Sequence, residues 1–147
     1  MNRRVFARLF GIAAVAVGLN ACSHMGTTAS LFDQLGGIGQ VNKLSGNMMQ
    51  SMTKNPALSG LMGNVNTTTA TQKLSDQLCS ALGGGCAAPY TSEQIANAAN
   101  KLNPEQKAAV SDSFSSALKS VTGNSQLQET ISKTLGSKLG GIAGSLL

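Results

Sequence analysis

Apolar residues along the chain recur at helical spacing and never alternate over a strand's length. From Ile38 to about Lys54 they fall at positions 38, 41, 44, 48 and 52, which puts them on one face of a helix. Asn55-Pro56 ends that run, because the residue before proline is pushed out of the helical region. Leu58, Leu61 and Met62 predict a short further turn of helix. After the loop Gly63-Asn64-Val65-Asn66, the threonines 67 to 69 offer a cap for a helix reaching Leu82, with a stripe of Leu74, Leu78, Ala81 and Leu82. Thr91-Ser92-Glu93-Gln94 reads as a capping box opening a helix to about Leu102. Asn103-Pro104-Glu105-Gln106 is a still clearer start: Asn caps, Pro takes the first turn and Glu suits the dipole. That helix shows Val110, Phe114, Ala117 or Leu118, and Val121 on one face, and Gly123 stops it. Ser125 with Gln128 opens the last helix, whose Leu127, Ile131, Leu135, Leu139, Ile142 and Leu146 form one stripe. Upstream of all these, Ser30 can cap a one-turn helix over Leu31-Phe32-Asp33-Gln34-Leu35, which Gly36 ends in the left-handed conformation. The pattern predicts an all-α domain over residues 30–147.

The first 21 residues break this pattern. Arg3, Arg4 and Arg8 precede an apolar run of 11 residues, Leu9 to Leu19, too short to span a bilayer. The run ends in Leu19-Asn20-Ala21-Cys22, which resembles the bacterial lipoprotein processing box, with Cys22 as the lipidated residue. An ordinary secretory signal cleaved after Ala21, or an uncleaved anchor, is the alternative. Residues 22–29 are short and polar, suited to a tether. Ser23 follows Cys22 where Asp resembles the inner-membrane retention signal, so the expected location is the periplasmic face of the outer membrane.

Removal of the signal changes the charge. All three arginines go with it, leaving eight lysines against six acids, about +2. The lysines are scattered and interleave with no aromatics, which argues against nucleic-acid binding. The membrane, through the N-terminal lipid, is the expected partner.

With Cys22 assigned to lipid, Cys79 and Cys86 remain as an even pair in an oxidising compartment. Seven residues of continuous helix rise about 10.5 Å, too far for a disulfide. Gly83-Gly84-Gly85 between them can end the helix and fold the chain back, which favours a bond. Two buried free thiols are the alternative.

The stretch Leu82 to Leu102, LGGGCAAPYTSEQIANAANKL, resembles the truncated (two-over-two, group I-like) haemoglobins. Leu82-Gly83-Gly84, Tyr90, Ile95, Ala98 and Leu102 fall at that family's offsets, and Ser30-Leu31-Phe32-Asp33-Gln34-Leu35-Gly36-Gly37 is similar to its opening. The resemblance covers about residues 30 to 147 and implies a truncated globin fold. It also implies haem binding and gas or redox chemistry, through a proximal His whose position holds Ala99 here. The family's glycine position holds Ser92. Its distal aromatic pair falls on Met48 and Met49, its Phe-Phe pair on Leu61 and Met62, and a polar distal residue near Leu74. The only histidine, His24, lies on the tether.

The resulting expectation is a lipid-anchored globin-like module that holds no haem in the family manner and takes an unknown protein partner or small apolar ligand. A haem or oxygen carrier with non-His ligation by Met49, Met52 or Tyr90 is the alternative. Met48, Met49, Met52 and Met62 also allow a copper reading, although flexible Met more often fills core gaps. No metal site is expected. No enzyme site is expected either, since the domain has no His to act as base and its acids sit at helix starts or polar faces. Gly136, Gly140 and Gly144 make a four-residue glycine ridge, read as close packing within the domain or terminal fraying.

Overall fold

The computed structural model describes residues 29–147. The expected signal, the expected lipidation at Cys22, His24 and all of the expected tether but Ala29 lie outside the described residues. Among the described residues seven helices follow one another: α1 Leu31–Leu35, α2 Ile38–Lys54, α3 Pro56–Met62, α4 Thr67–Ala81, α5 Ser92–Ala98, α6 Pro104–Val121 and α7 Ser125–Leu146. A 3-10 turn, Ala99–Lys101, continues α5. No strand occurs among the described residues, as the hydrophobic period predicts.

Helix starts follow their caps. The Asp33 N–H donates to the Ser30 hydroxyl oxygen at 3.1 Å, and that hydroxyl donates to the Asp33 carboxylate at 2.8 Å. Gly36 ends α1 at φ 113°. Thr91 and Asn103 both form complete capping boxes, with Gln94 and Gln106 as partners. Two caps differ from expectation. Asn66, not a threonine, caps α4 by accepting from the Thr69 N–H at 3.0 Å. Asn124, not Ser125, caps α7 by accepting from the Leu127 N–H at 3.0 Å. Asn is at least as good a cap as Ser and better than Thr, and its carbonyl takes the donor first. The residue that ends α6 is Thr122, extended at φ −137°, rather than Gly123; β-branched side chains favour that conformation.

Helix α2 packs against both α4 and α6, α6 runs beside α7, and α5 lies along α7. Inside sits one core: Val41, Leu44, Met48, Met52, Leu58, Leu74, Leu78, Val110, Ile131, Leu135 and Ile142 are fully enclosed, around Phe114 and Leu118. Among the described residues the buried members of this core lie between Leu35 and Ala143. Ile38 departs from its stripe and is 48% exposed, because it stands in the first turn of α2 above a surface groove shared with α4. Leu61 is likewise at the surface, 36% exposed.

The glycine ridge of α7 is also different from the one the spacing suggests. A Cβ on Gly136 would meet nothing within 4 Å, and one on Gly140 would only touch the flexible Lys107 side chain. The close approach is made by Gly141 and Gly144. A Cβ there would lie 2.1 Å from the Ile95 carbonyl oxygen and 2.3 Å from that of Ala98. Position in the bundle decides this: only the face of α7 that meets α5 lets backbone approach backbone.

Candidate functional site

The site is built on the loop between α4 and α5. Leu82, at the end of α4, accepts from the Phe32 N–H at 3.0 Å, joining the start of the domain to the end of this helix. Gly83 and Gly85 take φ 88° and 74°, the left-handed region that glycine enters without penalty. Between them, a Cβ on Gly84 would lie 2.5 Å from the Phe32 ring and 2.6 Å from Cys79 Sγ, so only glycine fits. The chain therefore reverses and brings Cys86 within 5.7 Å of Cys79, Cα to Cα, where the disulfide forms.

Past the disulfide the loop runs back down α4. The Tyr90 N–H donates to Gln77 Oε1 at 3.1 Å, and the Lys73 ammonium stands 5.8 Å from the centre of the Tyr90 ring, within cation–π range. Gln77 is buried, so its bond fixes the loop from inside. Cys79, Gln77 and Lys73 thus hold the loop at three successive points along one helix, and Thr91 then starts α5.

This arrangement leaves α4 and α5 scarcely touching. The gap is a groove of about 520 Å³. Gln77, Ser80 and Ala81 of α4 form one wall, and Ala88 and Tyr90 of the loop another. Ile95, Ala96 and Ala99 face it from the α5 segment, and Ser137, Lys138 and Ile142 from α7. Thr91 and Ser92 complete the lining. Its volume falls in the range of about 300–1,000 Å³ usual for small-molecule sites.

The positions singled out in the sequence divide. Ala99 and Tyr90 line the groove. Met48, Met49, Met52, Met62 and Leu74 are buried in the common core, so thioether and aliphatic groups fill the space between α2, α3 and α4. Leu61 corrects its expectation, since it lies at the surface rather than in a pocket wall. Met49, Met52 and Tyr90 do not converge as a ligand set. Met49 edges a separate surface groove with Thr53, Lys54 and Thr71, Met52 is fully enclosed, and Tyr90 stands on the groove beside α5. The sequence reasoning missed Gln77 and Lys138. Gln77 lies three residues after Leu74, a polar side chain at stripe spacing, which was the available signal.

For haem the decisive matter is the donor set. The groove's lining includes no imidazole, thiol or thioether, and residues 29–147 contain no histidine. The methyl group of Ala99 has no lone pair for iron. The Tyr90 hydroxyl is the one lining group of a type known to hold haem iron. The residues present do not fit a His-ligated haem.

The family model described as bacterial-like globin matches residues 30–139. The chain belongs to the bacterial-like globin family. Among solved structures, this globin is similar to the truncated haemoglobin of Tetrahymena pyriformis in its Fe(III) form and to two single-substitution variants of it. Each superposes with a TM-score of 0.66 at 15% identity, covering 74% of this chain and 93% of the other. At that identity the likeness establishes the truncated globin fold. A search of curated proteins finds no match.

Proposed function

We propose that this bacterial-like globin is a binding module of the cell envelope that works without haem ligated in the family manner. One observation carries the reading: the α4–α5 groove is open, yet Ala99 stands in its wall where the family resemblance sets the iron-ligating His. The buried methionines and Leu74 support it from the other side, since they occupy the interior between α2, α3 and α4. The groove then takes a small apolar ligand or a partner's side chain, and we assign the domain no reaction, no metal and no nucleic-acid target.

The lipoprotein-like box at Cys22 places the module, in this reading, on the periplasmic face of the outer membrane. Labelling cells with radioactive palmitate tests the anchor. The chain takes up label, and Cys22→Ser removes it; equal labelling of that variant excludes lipidation at this cysteine.

Haem titration of residues 23–147, followed by visible absorption, tests the module itself. The expected result is no saturable change. A one-to-one Soret band would overturn the haem-free reading. The second reading, a haem protein with non-His ligation, has one observation in its favour, the presence of Tyr90 on the groove. In that case Tyr90→Phe abolishes the band.

A further inference from the structure

We infer that the α4–α5 groove binds a single fatty acid, its hydrocarbon along the apolar part of the lining and its carboxylate at Lys138. The inference rests on the proposal of a haem-free module and names that module's ligand. Part of the lining is small and apolar: Ala81, Ala96 and Ala99 stand in it with Ile95 and Ile142. An unbranched chain needs an apolar strip to lie against, which these alanines provide among the polar groups of the lining. Lys138 is the only charged residue in the lining, no acid faces it there, and it makes no ion pair among the described residues. One unpaired cation beside an apolar strip is the complement of an amphipathic monoanion.

The start of the domain supplies the second argument. Ser30 packs against Gly83, its Cβ 3.2 Å from where a Cβ would stand on that glycine, within a turn of Ser80 and Ala81 on the groove wall. Cys22 is eight residues away, a span of at most about 26–29 Å. A lipid on Cys22 therefore holds this end of the groove within that distance of a bilayer, where free fatty acids are found.

Isotope-labelled residues 23–147, titrated with octanoate, decanoate and decan-1-ol and read by amide chemical shifts, test this. Saturable shifts are expected at Ala96, Ala99 and Ile142. Kd should tighten about fourfold per added methylene, so about sixteenfold from octanoate to decanoate. Lys138 is exposed, so Lys138→Gln keeps the fold; it should weaken decanoate about three- to fivefold and leave decanol unchanged. Ala99→Leu, which adds bulk to the lining, should weaken both. Decanol binding as tightly as decanoate, with no effect of Lys138→Gln, would overturn the carboxylate assignment while leaving a haem-free apolar site. Absence of saturable shifts, or shifts confined to other surfaces, would overturn the inference outright. A Soret band on haem titration is a separate failure, of the reading beneath it.

Discussion

Replacing Gly141 by alanine adds one methyl group at the contact between α7 and α5. The new Cβ would stand 2.1 Å from the Ile95 carbonyl oxygen, 2.5 Å from Ile95 Cγ2 and 2.8 Å from the Ile95 carbonyl carbon. Nine in ten Cβ contacts in real structures are longer than 3.4 Å. Helix α7 must therefore retreat from α5 by about 1 Å, and close-packed interiors transmit such a shift rather than absorb it. The obstacle is backbone, which cannot rotate aside, so the cost lies at or above the top of the usual overpacking range of about 1–3 kcal/mol. Alanine returns about 1 kcal/mol of helix propensity over glycine. The net loss is then about 2 kcal/mol or more. Gly136→Ala is the control, on the same helix with nothing within 4 Å of the added carbon; it should stabilise by about 0.8–1.0 kcal/mol. A domain of this size shifts its Tm by about 3–6 °C per kcal/mol. Calorimetry should therefore place the two variants about 10 °C or more apart, on opposite sides of the parent. Tm values for the two variants within about 2 °C of each other would refute the claim that α5 and α7 meet through their backbones.

The disulfide closes a short loop, for which chain entropy alone gives a stabilisation of about 2.5 kcal/mol. Replacing both Cys79 and Cys86 by alanine should lower the urea midpoint accordingly, and an unchanged midpoint would show that the pair constrains nothing. Gln77→Leu keeps the volume but leaves the Tyr90 N–H without its acceptor, at a cost of about 1–3 kcal/mol. Hydrogen exchange at the Tyr90 amide should rise while exchange inside α6 keeps its order; protection retained at Tyr90 would mean that another group holds the loop.

The helices were legible because their stability depends on burying a stripe, and a stripe has a period. Val110, Phe114, Leu118 and Ile131, Leu135, Leu139 fall where the period puts them and are buried there. Caps were legible when one residue alone could serve, as Asn103 does. They slipped by one position at Asn66 and Asn124, where a neighbouring Thr or Ser offers a similar oxygen. Ile38 and Leu61 show a different limit. Spacing says which residues share a face, while exposure depends on whether another element crosses that face. The site was harder. Ala99 and Tyr90 were reached through the family resemblance, but Gln77 and Lys138 are polar residues whose roles exist only once the loop has folded back and α7 has come alongside. The glycines were legible in part: close packing within the domain holds at Gly144, while Gly136 and Gly140 are open and the second close contact falls at Gly141, because α5 crosses α7 at 141 and 144.

Filling on one side of α4 and a groove on the other follow from how the walls are held. On the α2 side, Leu74 and Leu78 share one buried core with Met48 and Met52, flexible side chains that close irregular gaps. On the α5 side, closure would require α5 to move toward α4, and three constraints oppose that. Gly141 and Gly144 fix α5 to α7, the disulfide pins the loop to the end of α4, and Gln77 pins Tyr90. The groove is open to solvent, and these three constraints keep α5 from closing over it. Ser80, Thr91, Ser92 and Ser137 offer water hydrogen-bond partners, while the side chains of the exposed Ala96 and half-buried Ala99 offer none. Displacing water from beside those alanines by an apolar chain is favourable. Alanines beside hydroxyl groups, with one lysine among them, are the mixed lining on which the fatty-acid inference rests.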